Sequence, residues 1–308
     1  MIETSEKIDI VLATYNGERY LHEQIQSLLT QTVTCGILCH DDGSSDTTEV
    51  ILQKYTLEEE RFKVISHHSL GGASQNFSFL LENSEADYVL CSDQDDIWLP
   101  DKIACLLKAM HFYESVYGND MPLLAHSDLC VIDAHGNLMD KSFWNYQHLN
   151  PEWGDQFNLI LTQNVVTGCS MLVNRALINK SMPIPREAIM HDWWLALVAC
   201  SFGKIIWIPE ATILYRQHNN NAVGAKRFDA RYIASKLSMF GEMQTSLNLT
   251  AAQAAVFAEN FPTSRHAAQA ARYAQLPDMN YWQRRQTIVR ERFFKVGTLR
   301  NLAWVGLI

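Results

Sequence analysis

Three carboxylates stand within four positions, Asp93, Asp95 and Asp96, at the end of the apolar run Tyr88-Val89-Leu90-Cys91. Packed this closely they repel one another, raise their own pKa values and strain the fold unless something compensates. A divalent cation resolves the conflict. Mg2+ or Mn2+ takes hard oxygen ligands, often one or two carboxylates together with phosphate groups. A solvated acidic turn that caps the helix opened by Pro100 is the competing account. Asp41 and Asp42 end a second apolar run, Ile37-Leu38-Cys39-His40. A carboxylate there can accept a hydrogen bond from a pyrimidine N3–H or from ribose hydroxyls, although an Asp-Gly turn followed by a helix cap uses the same residues. Asp192 is the candidate general base. It stands beside Trp193 and Trp194, and indoles that exclude water raise a carboxyl pKa toward the range useful for taking a proton from a hydroxyl. A helix-capping Asp with core tryptophans is the alternative. Finally, Tyr215-Arg216-Gln217-His218 brings one fixed cation and one imidazole to a strand end. An imidazole completes a Mg2+ or Mn2+ shell and an Arg balances a diphosphate, but a lone His is also a common structural residue.

These residues need a scaffold, and the pattern supplies one. Ile8 to Thr14 reads as a strand, Tyr15-Asn16-Gly17 as a turn, and Glu18 to Thr30 as a helix with Leu21, Ile25, Leu28 and Leu29 on one face. Ile37 to His40 is a second strand, and the helix from Thr47 to Tyr55 is capped by Ser45 or Asp46. Phe62 to Ile65 is a third strand, followed by Gly71-Gly72 and a helix across Asn76 to Leu81. Tyr88 to Cys91 is the fourth strand. Four strand–helix alternations imply a parallel sheet covered on both faces. Ligands of such sheets bind at the carboxyl ends of the strands, which here carry Thr14, Asp41 with Asp42, and Asp93 to Asp96. Further on, the pattern predicts a helix over Asp101 to Tyr117 and a strand over Leu123 to Asp133. An irregular segment over the site, or a surface loop, follows at Lys141 to Gln163. Val165 to Val173 reads as another strand, whose Gly168 lets backbone approach a ligand or forms a bulge. A helix opens at Met190-His191-Asp192, and short strands run over Lys204 to Ile208 and Ala211 to Tyr215. Beyond about Phe228 the chain reads as helical.

The chain has 308 residues, enough for one large α/β domain with an appendage or for two domains. A net charge of −9 argues against a general nucleic-acid binder. Seven cysteines without a Cys-x-x-Cys spacing suggest neither a zinc ribbon nor a disulfide framework, and fit a reduced, cytoplasmic setting. The first residues lack a secretory pattern, and no apolar run reaches the ~18 residues of a membrane span. The tail reverses the overall charge: eight basic residues from Arg265 to Arg300 face only Asp278 and Glu291, interleaved with Phe293, Phe294, Leu302 and Trp304. Such a helix suits an anionic membrane surface, packing on the chain's own domain, or a second subunit.

Taken as a set, the motifs resemble a family-2 glycosyltransferase of the GT-A fold. The carriers are Val11-Leu12-Ala13-Thr14-Tyr15-Asn16-Gly17, Asp41-Asp42-Gly43-Ser44-Ser45-Asp46 and Ser92-Asp93-Gln94-Asp95-Asp96-Ile97-Trp98. Downstream, Thr167-Gly168-Cys169-Ser170-Met171, Met190-His191-Asp192-Trp193 and Tyr215-Arg216-Gln217-His218-Asn219 resemble bacterial α-L-rhamnosyltransferases of cell-surface polysaccharide synthesis. The resemblance runs from about Ile8 to Gly224. It implies a GT-A nucleotide-sugar-binding and catalytic domain over 1–224, an α/β fold with a mostly parallel sheet flanked by helices. Residues 225–308 would form a helical extension, a membrane-surface or dimerisation element.

The resemblance also implies roles. Asp41 or Asp42 reads the pyrimidine base, with Thr14, Tyr15, Asn16, Asp93, Gln94 and Arg216 on the nucleotide side. Asp95 is the main metal ligand and His218 helps hold the metal or diphosphate. Asp192 is the base, and Trp98, Gly168, His191 and Trp193 line the acceptor or sugar pocket. The expected activity is Mg2+- or Mn2+-dependent inverting transfer of L-rhamnose from dTDP-β-L-rhamnose to a glycan on a lipid carrier. The rivals are another donor, such as a UDP-hexose or UDP-GlcNAc, and a non-catalytic nucleotide-sugar-binding module. A dehydrogenase would place Gly-x-Gly-x-x-Gly after the first strand, and a nucleotidyltransferase a Gly-rich basic loop. Thr14-Tyr15-Asn16-Gly17 is neither.

Overall fold

The structure, a computed structural model, describes residues 6–218 and 240–307. Asn219-Asn220-Asn221 and the expected domain boundary at 224/225 lie outside the described residues. The first half is a run of β-α units: β1 (Ile8–Thr14), α1 (Leu21–Leu29), β2 (Gly36–Asp41), α2 (Thr48–Glu58), β3 (Phe62–His67), α3 (Ala73–Asn83) and β4 (Tyr88–Ser92). Their strands pair in the order β3-β2-β1-β4, all parallel. Side chains alternate across this sheet as the two-residue period of a strand requires. Ile10, Leu12 and Leu90 enter the core on the α1 and α4 side, while Val11, Val89 and Cys91 face α3 and α8. Strand order reverses at β1, which lies between β2 and β4. A crevice therefore opens at the carboxyl ends of β1 and β4, where open α/β sheets bind ligands.

The second half completes the sheet with mixed pairing. Its elements are β5 (Ile97–Trp98), α4 (Lys102–Tyr117), β6 (Leu123–Ile132), β7 (Leu138–Asp140), α5 (Phe143–Gln147), α6 (Phe157–Ile160), β8 (Met171–Asn174), α7 (Arg175–Ser181), α8 (His191–Phe202) and β9 (Lys204–Arg216). β8 is antiparallel to both β4 and β6, whereas β9 runs parallel to β6. The segment expected to be irregular, Lys141 to Gln163, holds short helical turns, α5 and α6 among them, and two strands also depart from the sequence expectation. The strands expected over Lys204 to Ile208 and Ala211 to Tyr215 are one, because Pro209 and Glu210 bulge out of the β6 register between Ile208 and Ala211. A bulge is where a strand tolerates a residue lacking an N–H. The strand expected from Val165 begins only at Met171, because Gly168–Ser170 forms a tight 3-10 turn closed by Ser170 N–H donating to Thr167 O at 2.9 Å.

The remaining helices are α9 (Phe240–Asn260), α10 (Ala267–Ala274), α11 (Tyr281–Glu291) and α12 (Thr298–Leu307). They pack on this chain's own core through Leu247, Phe257, Tyr273, Ile288, Phe293 and Trp304. Hydrogen bonds fasten them further: Thr162 Oγ1 donates to Phe294 O at 2.6 Å, Val296 N–H to Gln163 Oε1 at 3.1 Å, and Arg300 to Gln147 O at 2.9 Å. Trp282 and Leu302 stay exposed, 74% and 71%. No helix among the described residues is long and apolar enough to cross a membrane.

Candidate active site

The crevice widens into a cleft of about 820 Å³. One rim comes from the strand ends and is stitched together by polar side chains. Thr14 Oγ1 donates to Asp41 Oδ1 at 2.8 Å. Asn16 sits in the left-handed region at φ 48°, which Asn tolerates. There its N–H donates to Ser44 Oγ and its side-chain oxygen accepts from Ser45 N–H, each at 2.8 Å. Gln94, the middle residue of the acidic loop, grips the Tyr15 peptide from both sides. Its Oε1 accepts from Tyr15 N–H at 2.8 Å and its Nε2 donates to Tyr15 O at 2.9 Å. Gly17 is small because of this clamp, since a Cβ there would lie 2.3 Å from Gln94 Oε1.

The two neighbouring aspartates differ. Asp41 is fully buried and saturated by Thr14, Ser44 and His67, whose Nδ1 lies 2.7 Å away. Asp42 lines the cleft and accepts from Leu70 N–H, from Gly71 N–H at 3.3 Å and from Gly72 N–H at 2.8 Å. Gly71 and Gly72 adopt φ 94° and 118°, conformations that favour glycine.

Asp93, Gln94 and Asp95 line the cleft, and Asp96 lies buried beneath it. Burial and the charges of Asp95 and Asp192 push the Asp93 carboxyl up. Two residues reach the loop from the end of β9. His218 Nε2 lies 2.8 Å from Asp95 Oδ2 and its ring stacks on Tyr20. Arg216 donates from Nε to Asp95 O at 2.9 Å, from its backbone to Asp96 Oδ1 at 3.0 Å, and from Nη2 to Glu23 at 2.6 Å. Asp95 Oδ2 and His218 Nε2 thus pair directly with each other, an oxygen and a nitrogen of the kinds that Mg2+ or Mn2+ accepts as ligands. Asp93, Asp96 and Cys169 also bring ligand atoms within 4.8 Å of one another. That second cluster is mostly buried and stands near the Lys102 ammonium, a poor setting for another cation.

The opposite rim is drier. Asp192 lies in the first turn of α8, its Oδ2 accepting from Gly168 N–H at 3.0 Å and its Oδ1 from Trp193 N–H at 2.6 Å. Burial pushes its carboxyl up to about 7. Its two indole neighbours part company: Trp193 lines the cleft, whereas Trp194 turns into the core against Phe257 and Phe261. His191 stacks on Phe77 at 3.9 Å and burial holds it neutral, with a pKa near about 3. Its Nε2 would lie 2.7 Å from a Cβ at residue 168, which explains Gly168. Trp98, expected in the pocket, is buried and is not among the cleft-lining residues. Gln147 and Gln163, from the segment expected over the site, line the cleft; sequence reading missed Ser246 of α9 and Lys295 of the loop between α11 and α12, which line it too. No motif marks them.

Comparison with known proteins agrees with this architecture. A model of glycosyl transferase family 2 matches residues 9–120. The dTDP-rhamnosyl transferase RfbG of Shigella flexneri is 30% identical over 236 residues, 72% of this chain and 76% of its own length. Glycosyltransferase GlyG of Streptococcus pneumoniae is 23% identical over 251 residues, 77% and 79% of the two chains. Among solved structures, S. aureus TarS 1-349 in complex with UDP-GlcNAc superposes with a TM-score of 0.53 at 16% identity, over 92% of this chain and 79% of that one. The mannosyltransferase PcManGT from Pyrobaculum calidifontis, in complex with GDP-Man and Mn2+, gives 0.55 at 13%, over 93% and 74%. The fold is that of the GT-A glycosyltransferases. The chain belongs to glycosyl transferase family 2.

Proposed function

We propose that the protein is a metal-dependent inverting rhamnosyltransferase that moves L-rhamnose from dTDP-β-L-rhamnose to a hydroxyl of a lipid-linked glycan in bacterial surface-polysaccharide synthesis. The observation that carries the enzymatic reading is the pairing, across one cleft, of an acidic loop with the half-buried Asp192 carboxylate, held by the Gly168 and Trp193 N–H groups. The donor assignment draws support from the 30% identity to a dTDP-rhamnosyl transferase. Asp42 and the Thr14–Asn16 turn hold the nucleoside. Asp95 and His218, with Asp93 beside them, hold Mg2+ or Mn2+. When bound, the cation supplies positive charge for the departing diphosphate. Arg216 adds positive charge beneath the same loop.

Asp192 takes the proton of the acceptor hydroxyl as that oxygen attacks the anomeric carbon from the face opposite the diphosphate. The bond from that carbon to the phosphate oxygen breaks, the nucleoside diphosphate leaves, and the β-linked donor yields an α-L-rhamnoside. One displacement needs one base and no covalent intermediate. His191, Gly168 and Trp193 shape the sugar side. The experiment is a thermal-shift panel of nucleotide sugars, dTDP-β-L-rhamnose, UDP-glucose and UDP-GlcNAc included, with and without Mn2+. Binding stabilises the native state by RT ln(1 + [L]/Kd), so dTDP-β-L-rhamnose with Mn2+ should give the largest rise. A larger rise with another sugar reassigns the donor.

Exposed Trp282 and Leu302, near the basic residues of α11 and α12, hold the enzyme reversibly at an anionic cytoplasmic membrane surface. Trp282→Ala with Leu302→Ala should release it from anionic liposomes in sedimentation; unchanged binding removes this element.

A further inference from the structure

We infer that Lys102 is a positioning residue for catalysis, tying the segment that follows the acidic loop to the turn that holds Asp192. The inference rests on the proposed role of Asp192 as the base. Lys102 opens α4 and is 0% exposed. Two effects oppose an ammonium at this place. It loses its water on burial, and it stands at the positive end of a helix dipole. A methionine would fill the same volume at neither cost, so the charge calls for another explanation.

The explanation lies in what Nζ touches. It donates to Cys169 O at 2.6 Å and sits 2.9 Å from the centre of the Trp98 ring. Trp98 belongs to β5, immediately after the acidic loop, and its backbone N–H donates to Ser27 Oγ at 3.0 Å. Cys169 is the middle residue of the 3-10 turn whose first residue, Gly168, donates its N–H to Asp192 Oδ2 at 3.0 Å. Contacts therefore run without a gap from Trp98 through the ammonium and the turn to the carboxylate. The carboxylates of Asp93 and Asp96 face the same ammonium, and Asp96 Oδ2 has no hydrogen-bond partner among the described residues. Lys102 thus compensates the buried end of the acidic loop while it fixes the turn. Lys102 thereby fastens the two rims of the cleft to each other.

The test is a kinetic cycle on the full chain with Mn2+ and dTDP-β-L-rhamnose, or with the nucleotide sugar the thermal-shift panel selects in its place. Lys102→Met should lower kcat about tenfold or more and leave the donor KM within about twofold. Lys102→Gln keeps an N–H donor toward Cys169 O and should recover part of that loss. Added to Asp192→Asn, Lys102→Met should cost less than about twofold further, because a residue acting through Asp192 has nothing left to act on. Independent losses in the double variant, an unchanged kcat, or an effect on KM alone would overturn the inference. So would failure of both Lys102 variants to fold by circular dichroism, which would make Lys102 a folding residue only. Asp192→Asn at full rate is a separate result: it removes the base assignment and this inference with it.

Discussion

The two rims of the cleft solve opposite problems with the same side chain. On the strand-end rim Asp41 and Asp42 each accept several hydrogen bonds, Asp41 from hydroxyls and a backbone N–H, Asp42 from backbone N–H groups. On the other rim Asp192 accepts from the Gly168 and Trp193 N–H groups, beside a neutral His191. Its carboxyl rises to about 7. The first setting fixes a shape for a polar ligand to meet. The second leaves a group ready to gain and lose a proton at physiological pH.

That contrast predicts different failures. Asp95→Ala, on the polar rim, should abolish turnover and remove the metal dependence of nucleotide binding measured by calorimetry; full activity in EDTA would break the contrast at once. Asp192→Asn should cost kcat roughly 10²-fold or more while nucleotide binding is preserved. Loss of binding with rate retained at saturation would move Asp192 to the donor side. Gly168→Ala drives a methyl into His191, an overpacking cost of about 1–3 kcal/mol in melting experiments, and should lower kcat more than it raises the donor KM.

The smallest effect is one of pH. Unfolded, Asp192 would titrate near about 3.9, so the folded protein holds a proton there that the unfolded chain has released. The stability this contributes is present at low pH and is lost as pH rises through about 7. Asp192→Asn should therefore melt higher than the parent protein at pH 8, with the gap closing towards pH 4. The parent rate should climb through about pH 7 as the base ionises.

Much of the strand-end rim was legible because its chemistry is local. Thr14, Asp41, Asp42 and Asp93 to Asp96 each follow an apolar run, and a strand's direction carries its last residue to the rim. Which of Asp41 and Asp42 faces the cleft was not legible, since that depends on His67 and on the Gly71-Gly72 loop more than twenty residues away. Trp98 was expected in the pocket from the family resemblance, yet β5 turns it beneath the acidic loop onto Lys102. Nor did spacing reveal that Trp194 faces the core while Trp193 faces the cleft. Consecutive helical residues point about 100° apart, and only the packing of Phe257 and Phe261 decides which is buried. Lys295 and Ser246 could not be found at all, because no periodicity reports contacts between segments this far apart in the chain.

The fastening of the C-terminal helices bears on how relatives can be recombined. Gln253 of α9 accepts the Ile189 N–H at 2.9 Å, two residues before His191, while Phe294 and Val296 are tied to Thr162 and Gln163. The tail therefore forms part of the cleft wall. A chimera joined just after β9 exchanges part of the cleft lining together with the support of the segment that leads into α8. Junctions that carry residues 158–193 along with the tail would preserve both sets of ties and pass that stretch of wall to the new protein as one inheritable part.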